Sequence, residues 1–245
     1  MKNLLKYTSL KKQLKLEQNK TFKEWLLINK IELVLLVLFL LVNTLTSVFL
    51  IDNLTYWTSW LSIVSTNLGI ICTILIALKS KWNYVFGILN VATYSAIAFN
   101  EKLYFSFVLY GVFYILLNIY GYYYWNKKTD NKELQISNNK KEIITYTIGA
   151  ILLLAVTMPL GFVVFNNAYP TLDSFNLSLS LLGMFFMIRA FKEQYYIWNI
   201  VNIIGVVIWS LVLASGQTYA ITIVIQFSIY LLISVVGYFN WFNHK

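Results

Sequence analysis

The sequence predicts an all-α polytopic membrane protein of eight transmembrane helices, ordered one, three, one, three, and three observations carry that expectation. Hydrophobic residues make up 59% of the 245 and charged residues only 12%, with a mean hydropathy of +0.66; a soluble core of this size could not hide such a chain. Eight runs stay apolar for about 18 residues or more, the length that crosses ~30 Å of hydrocarbon as a helix. The chain also repeats itself: residues 82–125 superimpose without a gap on 198–241 at a spacing of 116, matching Tyr114 to Tyr230, Gly121 to Gly237 and Tyr122 to Tyr238.

Taken in order, residues 1–31 mix Leu4, Leu5, Leu10, Leu14, Phe22 and Trp25 with lysines, a basic amphipathic segment that either lies on the membrane or forms a mobile tail. Residues 32–51 are an extra span; some thirty residues precede it and no small-residue cleavage site follows at Asn53, so it reads as a retained helix. Spans at 57–78, 82–99 and 103–125 make the first triplet, 57–125. A polar linker, 126–142, leads to a connecting span at 143–165, where Pro159 predicts a kink. Spans at 174–191, 195–215 and 218–242 make the second triplet, 174–242. Four crossings separate the starts of the triplets, so both enter the membrane from one side and the repeats are parallel, with the substrate between them.

Basic residues orient the stack. With a cytoplasmic N-terminus, 18 of the 19 Lys and Arg fall on the inside and only Lys102 lies outside, which predicts both termini in the cytoplasm. The net charge of +9 is then topology and attraction to anionic lipid, and no nucleic-acid partner is implied.

Several chemistries are excluded. Cys72 is the single cysteine and sits in an apolar run, so no disulfide within the chain or thiolate metal site follows. The single histidine, His244, is at the tail, with no carboxylates clustered about it. No catalytic, metal or cofactor site is expected and the chain does not read as an enzyme. No acidic or basic residue falls in mid-span, which argues against a proton-coupled pump and against a phosphorylated substrate.

The spans offer amides and aromatic rings instead. On the third helix of each triplet a stripe recurs at helical spacing: Tyr110, Tyr114, Asn118, Gly121 and Trp125, then Gln226, Tyr230, Ser234, Gly237 and Trp241. On the middle helices Phe86, Asn90 and Tyr94 share one face, and Trp198, Asn202 and Trp209 another. Two alignments of these helices stay open, Trp82 with Trp198 at a spacing of 116 or Asn90 with Asn202 at 112, the second favoured. The expected substrate contacts are Trp198, Asn202, Asn90, Phe86, Tyr94, Tyr110, Tyr114, Asn118, Gln226 and Tyr230. Amides bond hydroxyl and carboxamide groups without bringing charge into hydrocarbon, and aromatic faces attract a cation at about 0.5–2 kcal/mol each. The competing reading makes such residues helix-bridging groups or an interfacial belt. It is preferred for Asn43, Asn67, Trp82, Trp125, Trp241 and Tyr122 to Tyr124, with Gly121 and Gly237 as close-packing positions.

The run Asn83-Tyr84-Val85-Phe86-Gly87-Ile88-Leu89-Asn90-Val91, then Leu103-Tyr104 and Asn118-Ile119-Tyr120-Gly121-Tyr122 ending at Trp125, resembles the first repeat of the PnuC vitamin transporters. Trp198-Asn199-Ile200-Val201-Asn202 and Gly216-Gln217-Thr218-Tyr219 resemble the family's second repeat. The resemblance covers 57–241 and implies a SWEET-like fold in a bacterial cytoplasmic (inner) membrane. It also implies facilitated diffusion of nicotinamide riboside, which a kinase then traps for NAD biosynthesis, and a homo-oligomer, a trimer being one form. Thiamine, riboflavin and deoxynucleosides remain alternative substrates, and a membrane receptor or enzyme subunit without transport is the alternative of another class.

Overall fold

The computed structural model describes residues 30–52, 54–128, 137–164 and 168–242. Its helices are α1 (Lys30–Leu50), α2 (Trp57–Ala77), α3 (Asn83–Asn100), α4 (Tyr104–Val108), α5 (Ile115–Lys128), α6 (Lys140–Val163), α7 (Pro170–Ile188), α8 (Gln194–Ala214) and α9 (Ala220–Phe242). A π-helical turn, Leu109–Tyr114, joins α4 to α5. Counting α4, that turn and α5 as one rod gives eight helical rods, and the described residues hold an isolated bridge between Ser137 and Phe191 but no strand.

Seven rods are long and apolar enough to cross a membrane. The exception is α3, whose 18 residues include Asn83, Asn90, Asn100 and two tyrosines. Two helices begin earlier than the apolar runs suggest. Helix α7 starts at Pro170, not near Ser174, because proline at the first helical position loses no hydrogen bond and its fixed φ suits the helix. Helix α6 starts at Lys140, where Asn139 Nδ2 donates to Glu142 Oε1 at 3.0 Å and Glu142 places negative charge in the first turn. The amphipathic segment, the middle of the linker and His244 lie outside the described residues.

The chain divides into two compact units, Met1–Leu38 and Phe39–Lys245. Of the first, the described part is the start of α1. Within the second, six rods close a ring: α2 packs on α3, α3 on the α4–α5 rod, that rod on α7, α7 on α8, α8 on α9, and α9 back on α2. Helix α6 packs on α7. Residues 39–50 of α1 meet α2 through amides, with Asn43 Nδ2 donating to Thr66 Oγ1 at 2.8 Å and to Asn67 Oδ1 at 2.9 Å, and Asn67 Nδ2 to Thr44 Oγ1 at 3.1 Å. Such bonds satisfy polar groups that hydrocarbon would leave bare.

Opposite sides of the ring share local geometry. The turn before α3 carries Lys79 at φ 56° and the turn before α8 carries Ala190 at φ 58°. Each turn is closed by the same pair of backbone bonds, Lys79 N to Ile76 O and Ser80 N to Leu75 O in one, Ala190 N to Met187 O and Phe191 N to Phe186 O in the other. The first side chain of each helix, Asn83 or Gln194, then donates to the carbonyl three residues back. These positions lie 111 residues apart. The register of α3 and α8 is therefore 111, where the sequence suggested 112 or 116. Helix α8 runs 21 residues against 18 for α3, which restores a larger spacing further along.

Candidate functional site

The ring encloses a cavity, with about 930 Å³ of space between its walls and across its open mouth. Every rod of the ring contributes to its wall: Cys72 and Thr73 from α2, Asn90 and Tyr94 from α3, Tyr110 and Tyr114 from the π turn, Asn118 from α5, Met184 and Met187 from α7, Tyr195, Trp198 and Asn202 from α8, and Gln226, Tyr230 and Ser234 from α9. Among the described residues no Asp, Glu, Lys, Arg or His lines it.

Nine of the ten residues expected from sequence line this one cavity. Phe86 does not. A helix turns about 100° per residue, so Phe86 lies about a quarter of a turn from the centre of the face made by Gly87, Asn90, Val91 and Tyr94, which repeats at steps of three and four. The cavity also takes in residues that periodicity did not single out. Tyr195 precedes Trp198 by three on the same face of α8, a signal available in the sequence. Met184, Met187, Cys72 and Thr73 come from the first helix of each expected triplet and differ little in type from lipid-facing residues.

Several polar groups in the wall are already engaged. Asn90 Nδ2 donates to the Ser65 carbonyl at 2.7 Å, Asn118 Nδ2 to the Tyr114 carbonyl at 2.7 Å, and the Tyr114 hydroxyl to the Ser180 carbonyl at 2.9 Å. Gln226 Nε2 donates to the Tyr230 hydroxyl. Three others are buried with no partner: Trp198 Nε1, Gln226 Oε1 and the Tyr195 hydroxyl. A buried polar group left unpaired costs about 1–3 kcal/mol. One donor, one acceptor and one hydroxyl that serves as either are thus free for a ligand. Trp198 is seated by Gly183, where an added Cβ would come within 3.1–3.3 Å of the indole ring.

Aromatic clusters lie toward both ends of the ring of helices. At one, Tyr84 meets Trp125 edge to face at 5.2 Å, Tyr195 meets Trp241 likewise at 5.8 Å, and the two indoles approach to 6.4 Å. Lys79 Nζ lies 5.3 Å from the Trp241 ring. Trp125 and Trp241 are 0% and 1% exposed, so they are interior residues and not the interfacial belt the sequence suggested. Trp82 and Tyr123 are 54% and 67% exposed, as that role requires. At the other end Tyr94 packs against Trp209 at 5.6 Å and Phe227 at 6.4 Å. Beyond it the Tyr219 hydroxyl donates to Glu101; burial and this carboxylate raise the phenol above its ordinary range.

A buried carboxylate joins two rods away from the cavity. Asp173 accepts from the backbone N–H of Phe105 at 3.1 Å and of Ser106 at 3.3 Å, and from the Ser106 hydroxyl. It thereby caps the start of α4, where N–H groups have no partner within the helix. Like the other charged residues expected near span ends, it sits in the first turn of its helix.

Comparison with known proteins places this architecture. Residues 59–243 match the family described as nicotinamide mononucleotide transporter. The chain is 27% identical over 217 residues to the nicotinamide riboside transporter PnuC of Neisseria mucosa, spanning 86% of this chain and 80% of that one. It is 29% identical over 215 residues to the nicotinamide riboside transporter PnuC of Escherichia coli, spanning 77% and 87%. Among solved structures, the crystal structure of the vitamin B3 transporter PnuC superimposes with a TM-score of 0.73 at 24% identity over 94% of each chain, a likeness of fold.

Proposed function

The chain belongs to the nicotinamide mononucleotide transporter family, and from that premise we propose that it carries nicotinamide riboside through a membrane by facilitated diffusion. The observation that carries the reading is the cavity's lack of charge together with its unpaired Trp198 Nε1, Gln226 Oε1 and Tyr195 hydroxyl. Ribose hydroxyls and a carboxamide supply complementary donors and acceptors, and the pyridinium cation gains from the tyrosine and tryptophan faces. A phosphate dianion would find no cationic side chain among the described residues of the wall to pair with, which favours the riboside over the nucleotide. The relatives named as riboside transporters support the same choice.

In this mechanism Trp198, Asn202, Gln226 and Asn90 hold the substrate, with Tyr94, Tyr110, Tyr114, Tyr195, Asn118 and Tyr230 completing the wall. Two triplets, α2 to α5 and α7 to α9, rock as parallel repeats so that the aromatic layer at one end parts while the other stays closed. The matched turns at Lys79 and Ala190 support that pairing. Both termini lie in the cytoplasm, on the positive-inside argument, and the working form is a homo-oligomer in a bacterial inner membrane. With no Asp, Glu, Lys, Arg or His among the described residues of the cavity wall, the substrate gradient alone drives flux.

The test is uptake in kinase-free proteoliposomes alongside direct binding. Trp198→Ala and Asn202→Ala should each weaken riboside affinity, by about tenfold or more for a well-placed aromatic or amide. Wild-type affinity in both variants would remove this cavity as the binding site, and collapse of uptake on dissipating a proton or sodium gradient would remove the uncoupled mechanism.

A further inference from the structure

Gly69 lies on the buried face of α2 and does not itself line the cavity. A Cβ added there would come within 1.9 Å of the Tyr230 hydroxyl, 2.1 Å of Gln226 Nε2 and 3.0 Å of Asn90 Nδ2. Three side chains from two other helices therefore converge on the space of one missing methyl group. The Gln226 amide spends its nitrogen on Tyr230 there, which leaves its Oε1 buried and unpaired at the cavity. The Gly69 carbonyl is held by the Thr73 hydroxyl at 2.9 Å, fixing the backbone beneath the pair.

The opposite side of the ring shows what a side chain does at this place. At the spacing of 111 set by the matched turns, Gly69 corresponds to Ser180, and at 116 Tyr230 corresponds to Tyr114. Ser180 has a Cβ, and there the tyrosine hydroxyl donates to the Ser180 carbonyl at 2.9 Å. At Gly69 the tyrosine hydroxyl instead receives the glutamine amide. The missing Cβ thus coincides with a different partner for the tyrosine on each side of the ring.

We propose that Gly69 is a positioning residue for specificity: its empty side-chain space seats the Gln226–Tyr230 pair and so presents Gln226 Oε1 as the acceptor for a hydroxyl or amide N–H of the carried riboside. This inference rests on the cavity being the riboside site. The Gln226 amide is a flexible group, but with Tyr230 beside it an added methyl leaves it no seat on α2, so it must swing and take its acceptor with it.

The experiment is equilibrium binding of nicotinamide riboside to the full-length carrier in detergent, on Gly69→Ala, Gln226→Ala and their combination, with Tyr230→Phe and Gly69→Ala/Tyr230→Phe as a second pair. Gly69→Ala is expected to weaken binding about tenfold in the native background and less than about twofold in Gln226→Ala, because the space left by the amide lets the Tyr230 ring shift away from the methyl and no acceptor remains to be displaced. Removing the Tyr230 oxygen takes away the closest clash and its hold on the amide, so the amide can shift into that space, leaving Gly69→Ala/Tyr230→Phe within about threefold of Tyr230→Phe. If Gly69→Ala does not fold, that second pair decides alone: a folded double variant within the threefold supports the proposal, and an unfolded or weaker one overturns it. Native affinity in Gly69→Ala, or an equal loss in the Gln226→Ala background, also overturns it. Unchanged affinity in Gln226→Ala overturns it as well, whereas native affinity in both Trp198→Ala and Asn202→Ala would instead fell the functional reading on which this one rests.

Discussion

Trp209 Nε1 donates to the Tyr94 hydroxyl at 2.6 Å, and the two rings lie edge to face at 5.6 Å. This bond links α3 to α8, one helix from each side of the ring, at the end of the cavity away from Trp125 and Trp241. Replacing Tyr94 by Phe keeps the ring and strands a buried indole N–H. The expected cost is about 1–3 kcal/mol of stability, read as a lower melting temperature in detergent. The layer that Tyr94 forms should also part more readily. A water-soluble thiol reagent should then reach Cys72, the chain's single cysteine and a wall residue, faster than in the native carrier. An unchanged labelling rate would show that the bond holds nothing closed.

The glycines of the two third helices make a paired prediction. A Cβ on Gly121 would lie 2.3–2.9 Å from the Tyr84 ring, and one on Gly237 2.4–2.6 Å from Tyr195. Both Gly→Ala variants should lose about 1–3 kcal/mol through overpacking, with similar falls in melting temperature. Their effects on transport should differ. Tyr195 lines the cavity and Tyr84 does not, so Gly237→Ala should raise KM for uptake while Gly121→Ala leaves it near the native value. Equal changes in KM would separate Tyr195 from the substrate.

How far these residues could be read from sequence depended on what repeats. The stripe from Tyr110 to Asn118 was legible because side chains four apart on a helix stack on one face, and it survives the π turn that carries Tyr110 and Tyr114. The face of α3 was misjudged by one position, at Phe86 in place of Gly87, because eight residues at steps of four drift well off a 3.6-residue period. The offset of 111 was hidden by the extra length of α8 and of the turn that follows it, which together bring the spacing to 116 by the start of α9. Trp125 and Trp241 looked like interfacial anchors because sequence shows that a tryptophan sits near a span end, not whether it faces lipid or its twin. Gly69 carried no periodic signal at all, since its role lies in the side chains of α9 that fill its place.

Asp173 separates structural charge from coupling charge. Its carboxylate is fully buried and accepts two backbone N–H groups and a hydroxyl at the start of α4. Asp173→Asn keeps the shape but weakens bonds to an ionised acceptor, worth about 1.5–3 kcal/mol each, and offers one oxygen where the carboxylate offers two. Melting temperature should fall while riboside affinity in the folded fraction stays native, and uptake should remain indifferent to an imposed pH gradient. A variant that melts normally but gains or loses a response to that gradient would recast Asp173 as part of a proton pathway.

Cys72 gives a direct test of occupancy. Its Sγ donates to the Asn83 carbonyl at 3.2 Å and the residue is half-buried in the cavity wall beside Thr73. Because the chain has no other cysteine, any label reports this one position. A riboside filling the space between α2 and α8 excludes a small methanethiosulfonate from the same volume, so saturating nicotinamide riboside should slow labelling about tenfold, in proportion to the fraction of free sites at about ten times Kd. Nicotinamide mononucleotide at the same concentration should protect little, since its phosphate has no counter-charge among the described residues of the wall. Protection should fall with Trp198→Ala and with Gln226→Ala in step with their loss of affinity. Labelling that proceeds at one rate with and without riboside, in a carrier shown to bind it, would place the substrate outside this cavity.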